Sequence, residues 1–295
     1  MYNPAWPFAV HLAVFVLSGI LVAGTGVRLT RYTAKIAQRT GLGQALTGAL
    51  FLGASTSLSG IITSVTAAAQ GHPELAAGNA VGGIAAQTVF LAVADRRYRT
   101  ANLEHAAASD ENMLQGALLI SLLAATLLAT LSPEFTVFGV HPVTPGLFLA
   151  YAFGQRMVNT AKGQDMWQPR VTEHTYKETT STPATERGGK VDSMTILWVK
   201  FTSLAAIIGG LGYALAQSGV RIGQLTGMSE TVLGGLFTAV VTSFPELITT
   251  VAAVRIGALT LAVSGIMGGN AFDVIFLGVS DIAYRSGSVY HAMGD

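Results

Sequence analysis

Apolar residues in this chain are gathered into eight long runs that are separated by polar segments. An apolar run of about 20 residues is long enough to cross a bilayer as an α-helix, so the pattern predicts eight transmembrane helices. The predicted spans lie near residues 8–27, 43–69, 73–94, 113–131, 137–158, 194–217, 228–254 and 258–283. The expected fold is therefore an all-α, polytopic membrane protein.

One longer polar segment divides the eight spans. Residues 161–193 are rich in Lys, Glu, Thr, Pro and Gly and lack apolar periodicity, and the segment is too short for a folded domain. We expect a first half over 1–160 with spans 1 to 5, a cytoplasmic linker over 161–193, and a second half over 194–295 with spans 6 to 8.

The chain contains an internal duplication. The segment from Gly48 to Asp95 recurs 186 residues later as Gly234 to Asp281, and 19 of the 48 aligned positions carry the same residue without a gap. The identical pairs include Thr56/Thr242, Ser57/Ser243, Thr63/Thr249, Gly71/Gly257, Gly82/Gly268, Gly83/Gly269 and Asp95/Asp281. Unrelated apolar helices share Leu, Ala and Val by composition, but they do not share hydroxyl and glycine pairs in register. Two repeats, at about 43–95 and 228–283, are predicted.

Composition agrees with a membrane protein. Hydrophobic residues make up 51% of the chain and charged residues 11%, and the mean hydropathy is +0.51. This is too little charge to solvate the surface of an ordinary globular protein. The net charge of +1 gives no reason to expect a nucleic-acid partner, and the absence of cysteine excludes disulfides, zinc–thiolate sites and thiol catalysis.

The cationic side chains predict the orientation. With the N-terminus outside, fifteen of the 17 Lys and Arg residues fall in cytoplasmic segments, and only Arg221 and Arg285 lie outside. The first copy of the duplication then starts from the cytoplasm and the second from outside, so the repeats are inverted. Inverted repeats that meet near the bilayer midplane are a recurrent architecture of secondary transporters.

Polar groups interrupt the apolar runs of the second repeat. Glu246 lies in the middle of span 7, where a carboxylate is costly unless it faces a polar cavity or a partner, so we interpret it as functional. Pro245 beside it predicts a kink or break that frees a backbone carbonyl. Further hard oxygen donors, which suit sodium and calcium, follow in the same repeat: they are Thr242, Ser243, Thr249, Asn270 and Asp273.

Structural readings compete with these assignments. A single hydroxyl in a membrane helix often bonds to its own backbone, and Asp273 could be a buried, hydrogen-bonded residue. An intramembrane enzyme would need a serine paired with a membrane histidine. His11 is the only histidine well inside a predicted span and no nucleophile-elbow motif faces it, so an enzyme is disfavoured.

The second repeat resembles a known family. The segments TSFPELITTVAAVRIG (242–257) and GGNAFDVIFLG (268–278), duplicated with inverted topology, are similar to the alpha-repeats of the cation/calcium exchanger superfamily, particularly its prokaryotic sodium/calcium exchangers. The resemblance implies a cofactor-free cation antiporter in the prokaryotic plasma membrane, working by alternating access, with sodium and calcium as candidate ions. It also implies a cation site between the repeats, whose ligands would be Glu246, Asp273, Asn270, Thr242 and Ser243 with Thr56, Ser57 and Asn79.

The first repeat departs from the family pattern. Ser59 and Gly60 stand where the family has a proline and a glutamate, and Ile84 and Gln87 stand where it has two asparagines. Calcium prefers several carboxylates among six to eight oxygens, so half of the expected acidic site is missing. The family also has ten spans where eight are predicted here. Two alternatives therefore stay open: a sodium/proton or other monovalent cation exchanger that has lost calcium binding, and a non-transporting structural relative.

Overall fold

The computed structural model describes residues 3–40, 53–98, 101–161, 192–255 and 259–292. Apart from one isolated bridge, the regular structure of these residues is helical. The helices are α1 (Phe8–Thr40), α2 (Gly53–Thr56), α3 (Leu58–Ala69), α4 (Pro73–Arg97), α5 (Leu103–Ala106), α6 (Asp110–Leu131), α7 (Val143–Ala161), α8 (Met194–Thr226), α9 (Glu230–Val232), a π-helical segment (Leu233–Thr238), α10 (Ala239–Thr242), α11 (Phe244–Arg255) and α12 (Leu259–Ala283). Most of the predicted linker, 162–191, lies outside the described residues.

Observed helices lie in all eight predicted spans, but not all of them, α7 among the exceptions, are long and apolar enough to be counted as membrane-crossing. In the described part of the chain, five helices are long and apolar enough to cross a membrane, and a sixth span is obtained if the bent pair 230–242 and 244–255 is counted as one. The predicted second span is represented by α2 and the shorter apolar helix α3, and its first residues, 43–52, lie outside the described residues. An all-helical polytopic membrane protein is confirmed.

Two helices are longer than their apolar runs predict. Helices α1 and α8 each have 33 residues and pack along one another. A helix of this length extends about 50 Å, whereas the hydrocarbon core is about 30 Å thick. The hydropathy signal of span 1 ends where Arg28 appears, but nothing there stops the helix, which continues for three more turns.

The predicted start of the fifth span is wrong. Residues 137–140 form a two-residue hairpin instead, in which Val137 and Val140 exchange backbone hydrogen bonds of 2.9 and 3.1 Å. Its central residues, Phe138 and Gly139, both have positive φ, 54° and 76°, as such a tight turn requires. The helix can begin only after this turn, so α7 starts at Val143.

Both repeats are broken at the same matched position. The first repeat breaks between α2 and α3 at Ser57, and the second between α10 and α11 at Ser243, where the two helices are bent by 44°. The break that Pro245 predicts beside Glu246 is confirmed: the helix is interrupted just before Pro245, which lies in the first turn of α11, where proline is tolerated. The first repeat has Ser59 at the matched position and breaks all the same, so a break at this position also forms without a proline.

Helix α12 lies at the centre of the bundle. It packs against α3, α4, α11, α6 and α7, and almost all of its second half is buried. Helix α4 crosses the π-helical segment so closely that Gly82 and Gly234 leave no room for a side chain. This close crossing joins the two repeats, because α4 belongs to the first and the π-helical segment to the second.

The aspartates that end the repeats perform the same task. Asp95 accepts a hydrogen bond from the Leu103 backbone N–H at 2.6 Å, and Asp281 accepts one from the Val289 N–H at 3.1 Å. Both acceptors lie eight residues before their donors. Each carboxylate therefore fixes the chain that follows its helix, and neither belongs to the site described next.

Candidate cation site

A small polar cavity lies where the two broken helices meet α4 and α12. Its inner volume of about 10 Å³ is comparable to that of one water-sized particle. The lining residues come from both repeats: Ser57, Gly60, Asn79, Gly83, Gln87, Thr242, Ser243, Glu246, Asp273 and Phe276. The helix breaks at Ser57 and Ser243 bring the start of α3 and the start of α11 to this point.

Glu246 is buried in this cavity with only 5% of its surface exposed. The Ser57 hydroxyl donates a hydrogen bond of 3.1 Å to its Oε1, and Thr56, one residue earlier, also interacts with this carboxylate. The other oxygen, Oε2, has no hydrogen-bond partner among the described residues. One carboxylate oxygen is thus anchored by the opposite repeat and the other is available to a ligand.

Asp273 shows the same arrangement on α12. The Gln87 side chain of α4 donates a hydrogen bond of 2.6 Å to Oδ2, while Oδ1 has no partner in the described part of the chain. Gln87 is itself 1% exposed, and its Oε1 is also left without a described partner. Gln87 and Asp273 are matched positions of the duplication, so the repeats meet here with an amide facing an acid.

Neutral side chains complete the wall of the cavity. The Asn79 amide donates to the Gly60 carbonyl at 3.2 Å and to the Ser64 hydroxyl at 2.9 Å, and its Oδ1 accepts from Thr242 Oγ1 at 3.3 Å. The Ser59 hydroxyl donates to the Thr242 carbonyl at 3.2 Å. These bonds tie α3, α4 and α10 together and hold the hydroxyl and amide groups at the cavity.

The structure brings six of the eight sequence-predicted residues together around the cavity: Ser57, Asn79, Thr242, Ser243, Glu246 and Asp273. Thr56 is not part of the lining, although it interacts with Glu246 from behind Ser57. Asn270 is also not part of it; its amide donates to Thr88 Oγ1 of α4 at 3.3 Å. Asn270 precedes Asp273 by nearly one turn of α12 and points to the neighbouring side of α4.

Four lining residues were not among the predicted ligands. Gln87 and Gly60 are the positions matched to Asp273 and Glu246, so the duplication itself carried the signal for both. Gly83 belongs to a matched glycine pair, and a Cβ there would lie 3.2 Å from Asp273 Oδ2. Phe276 carries no signal for a cation site, since an aromatic residue in an apolar helix is common.

The arrangement is suited to hard cations. Two carboxylates and several neutral oxygens face one water-sized space, which is the donor set that sodium and calcium prefer. Two buried carboxylates without a compensating charge are strongly disfavoured in a membrane interior. The cavity is therefore stable only when a cation or a proton neutralises part of this charge.

Comparison with known sequences agrees with this geometry. Residues 10–154 and 196–292 match the family described as "Sodium/calcium exchanger protein". Sodium/calcium exchanger MaX1 of Methanosarcina acetivorans is 37% identical over 83 residues, which are 28% of this chain and 23% of that protein. Sodium/potassium/calcium exchanger 1 of Gallus gallus is 29% identical over 114 residues, or 35% of this chain and 17% of that protein. The chain matches less than a quarter of the length of either relative.

Solved structures share the fold. The sodium–calcium exchanger NCX_Mj superposes with a TM-score of 0.56 at 18% identity, covering 97% of this chain and 87% of that one. An H+/Ca2+ exchanger, CAX, superposes with a TM-score of 0.66 at 14% identity, covering 93% of this chain and 67% of that one. Because the family match spans most of both halves, this chain belongs to the sodium/calcium exchanger protein family.

Proposed function

We propose that the chain is a secondary cation antiporter of the sodium/calcium exchanger type, and that its transported cations bind in the cavity between the repeats. The observation that carries this proposal is a water-sized cavity in which Glu246 and Asp273 each present a buried oxygen without a described partner. Ser57, Asn79, Thr242 and Ser243 supply the neutral ligands, with Thr56 behind them supporting Glu246 and Asn270 at the neighbouring side of α4.

Charge neutralisation explains why such a site exchanges cations. The two carboxylates together match the charge of one divalent cation, or of two monovalent ions of which one can be a proton. A site that crosses the membrane interior empty would carry this charge uncompensated, which is costly. Reorientation of the site is therefore favoured when a cation occupies it, and transport in one direction becomes coupled to transport in the other.

A second candidate is an exchanger of monovalent cations that does not use calcium. It is favoured by the first repeat, where Gly60 and Gln87 occupy the positions matched to Glu246 and Asp273, so that repeat contributes no carboxylate to the lining. Calcium usually needs several carboxylates to offset its dehydration, whereas sodium is satisfied by fewer. The two candidates share one site and differ only in the ion that fits it.

Flux into proteoliposomes decides between them. Calcium uptake driven by an outward sodium gradient is expected for a sodium/calcium exchanger. Sodium uptake driven by an outward gradient of protons or of another monovalent cation, without calcium uptake, would identify a monovalent exchanger. The absence of flux of either ion in folded, reconstituted protein would contradict both candidates and favour a structural relative.

The site itself is tested by Glu246→Gln, which keeps the side-chain shape and removes the charge. We expect flux to fall by at least about tenfold, since the lost attraction corresponds to more than about 1.4 kcal/mol. Glu230→Gln is the matched control, because Glu230 lies on the same bent span outside the cavity, where it pairs with His72 at 2.6 Å. Normal flux in Glu246→Gln would remove Glu246 from the site.

We also propose the orientation that the basic residues predict, with the N-terminus outside and the 161–193 linker in the cytoplasm. Most of the 17 Lys and Arg residues then lie on the cytoplasmic side, as membrane insertion favours. Under this orientation the α6 start, the α7 end and the α12 start face the cytoplasm. The short connection around His72 faces outside.

A further inference from the structure

A second group of buried polar side chains lies outside the cavity. Gln115 of α6, Tyr151 and Gln155 of α7, and Asn270 of α12 are each at most 6% exposed. Gln115 Oε1 and Asn270 Oδ1 have no hydrogen-bond partner among the described residues, and the Tyr151 hydroxyl and the Gln155 amide have none except each other. We call these four residues the polar seam. Unpaired polar groups are disfavoured in a membrane interior, so a run of them calls for a polar occupant.

Contacts between the helices place the polar seam on one side of α12. The Leu118 side chain of α6 packs into the space beside Gly154 of α7, so these two antiparallel helices touch at that level. Gln115 and Gln155 both lie just beyond this contact, toward the end of the bundle from which the linker leaves. Gln115 Oε1 lies 3.3 Å from the point that a Cβ on Gly268 of α12 would occupy.

The polar seam leads to the cation site. The Tyr151 ring packs on Phe272 with a centroid distance of 5.8 Å, and Phe272 directly precedes Asp273. Measured along the helix axes at 1.5 Å per residue, Gln115 and Gln155 lie roughly 8–9 Å from the linker ends of α6 and α7. Asp273 lies roughly 21 Å from the linker end of α12. The seam therefore lies between the linker-side ends of these helices and the site.

The opposite half of the same three helices differs. There the interface is formed by apolar side chains such as Leu122, Leu147 and Leu277. The buried hydroxyl of Thr126 in this half is satisfied, because it donates to the Leu122 carbonyl at 3.0 Å. Among the described residues of these three helices, buried polar groups without a partner are thus concentrated in the half that faces the linker, and in the opposite half Ser280 Oγ of α12 also lacks one.

We propose that the polar seam is the hydrated path by which cations pass between Asp273 and the linker side of the membrane. This proposal rests on the proposed antiport function and adds the route by which cations reach the site. The seam offers amide and hydroxyl oxygens but no carboxylate, so it can replace part of the hydration shell of an alkali cation without holding the ion tightly. Weak, successive oxygen contacts are what a conduction path requires, whereas the carboxylates at its inner end provide the binding.

Thiol labelling tests the path independently of transport. The chain has no cysteine, so Gln115→Cys, Gln155→Cys and, as a control, Thr126→Cys each introduce a single thiol. Reconstituted protein is treated from either side with a small, membrane-impermeant cationic thiol reagent, and Thr175→Cys in the linker identifies the linker side. We expect labelling at 115 and 155 from the linker side and at least tenfold slower labelling at 126.

Two outcomes would overturn the path. One is equally slow labelling at 115, 155 and 126 in folded protein, which would mean that the seam is dry. The other is labelling at 115 and 155 only from the side opposite to the linker. Neither outcome requires measurable flux, so a failure of the antiport function and a failure of the path are distinguished.

A second variant distinguishes a hydrated cation path from a dry cluster of buried polar groups. Gln155→Leu removes a buried amide, whose one described partner is Tyr151, at nearly the same volume. If the seam conducts cations, flux should fall by about tenfold with no rise in the unfolding temperature. If the seam is dry, the unfolding temperature should rise and flux should stay at the parent level, because a buried, incompletely paired polar group has been removed.

Discussion

Gly60 offers the sharpest test of where the cation binds. It is the position matched to Glu246, and it lines the same cavity. A Cβ at residue 60 would lie 3.7 Å from Asn79 Nδ2 and 3.8 Å from Thr242 Oγ1, in ordinary contact with two cavity groups. The Phe276 ring, at 3.3 Å, would have to give way by a few tenths of an ångström. Gly60→Glu therefore places a third carboxylate at the site with modest repacking.

The expected change in selectivity follows from Coulomb's law. A carboxylate about 4 Å from a bound ion attracts a monovalent cation by about 4 kcal/mol and a divalent one by about 8 kcal/mol at an effective dielectric constant of about 20. Repulsion among the three carboxylates raises the free energy of the empty site. The empty site is the same starting state for both ions, so this repulsion does not change the ratio of the calcium and sodium affinities. If a third of the difference of about 4 kcal/mol survives solvent and side-chain relaxation, calcium gains about tenfold over sodium.

Calorimetric titration of calcium and sodium at pH 8, where protons compete least for the carboxylates, measures this ratio. Gly60→Gln is the matched control, because it introduces the same bulk without the charge. A rise of about tenfold in calcium over sodium affinity is expected in Gly60→Glu alone. Equal ratios in the Glu and Gln variants would show that residue 60 does not reach the ion, and the placement of the site between the repeats would be refuted.

Three further predictions concern the site, the topology and the loop before α7. Ser57→Ala removes the hydroxyl that donates to Glu246 and should weaken sodium-dependent flux about threefold to tenfold, since such a bond contributes about 1 kcal/mol; flux at the parent level would make this bond dispensable. An impermeant thiol reagent applied outside should label His72→Cys and leave Thr175→Cys unlabelled, and the reverse pattern would exclude the proposed orientation. Burial lowers the pKa of His141 below its ordinary value of 6.5, so its neutral form stabilises the fold above pH 6.5 and this contribution is lost as the pH falls through the lowered pKa. The unfolding temperature of the parent should therefore fall more steeply below pH 6.5 than that of His141→Gln, and parallel curves would contradict this.

The sequence predicts the helices and the duplication well because both can be recognised from the order of residues along the chain. Apolar runs report membrane helices directly, and matched residues 186 positions apart report the repeats. The hairpin at Phe138 is harder to recognise, since its apolar residues resemble the start of a span. Only two consecutive positive φ angles distinguish it, and a bulky residue such as Phe138 rarely adopts one.

Half of the site is visible in the sequence and half depends on packing. Glu246 stands out because a charge in an apolar helix needs an explanation, and Ser57 follows from its match to Ser243. Asn270 looked equally suitable, but whether a polar residue faces a cavity is decided by the rotation of its helix, and α12 turns Asn270 toward Thr88. The polar seam joins residues of three helices that are far apart in sequence, so no local pattern predicts it.

The two repeats share the same helix break but place different side chains at the cavity. This difference explains how the two repeats pack against each other. Each break lies at a matched serine, so an exact duplicate would add a third carboxylate at residue 60 and a fourth at residue 87 to a cavity that holds one water-sized particle. Instead, both carboxylates accept hydrogen bonds from the first repeat, Glu246 from Ser57 and Asp273 from Gln87. One repeat thus supplies charge and the other supplies donors. This division lowers the repulsion within the site and also holds the inverted halves together, because each cross-repeat bond is charge-assisted when its carboxylate is ionised.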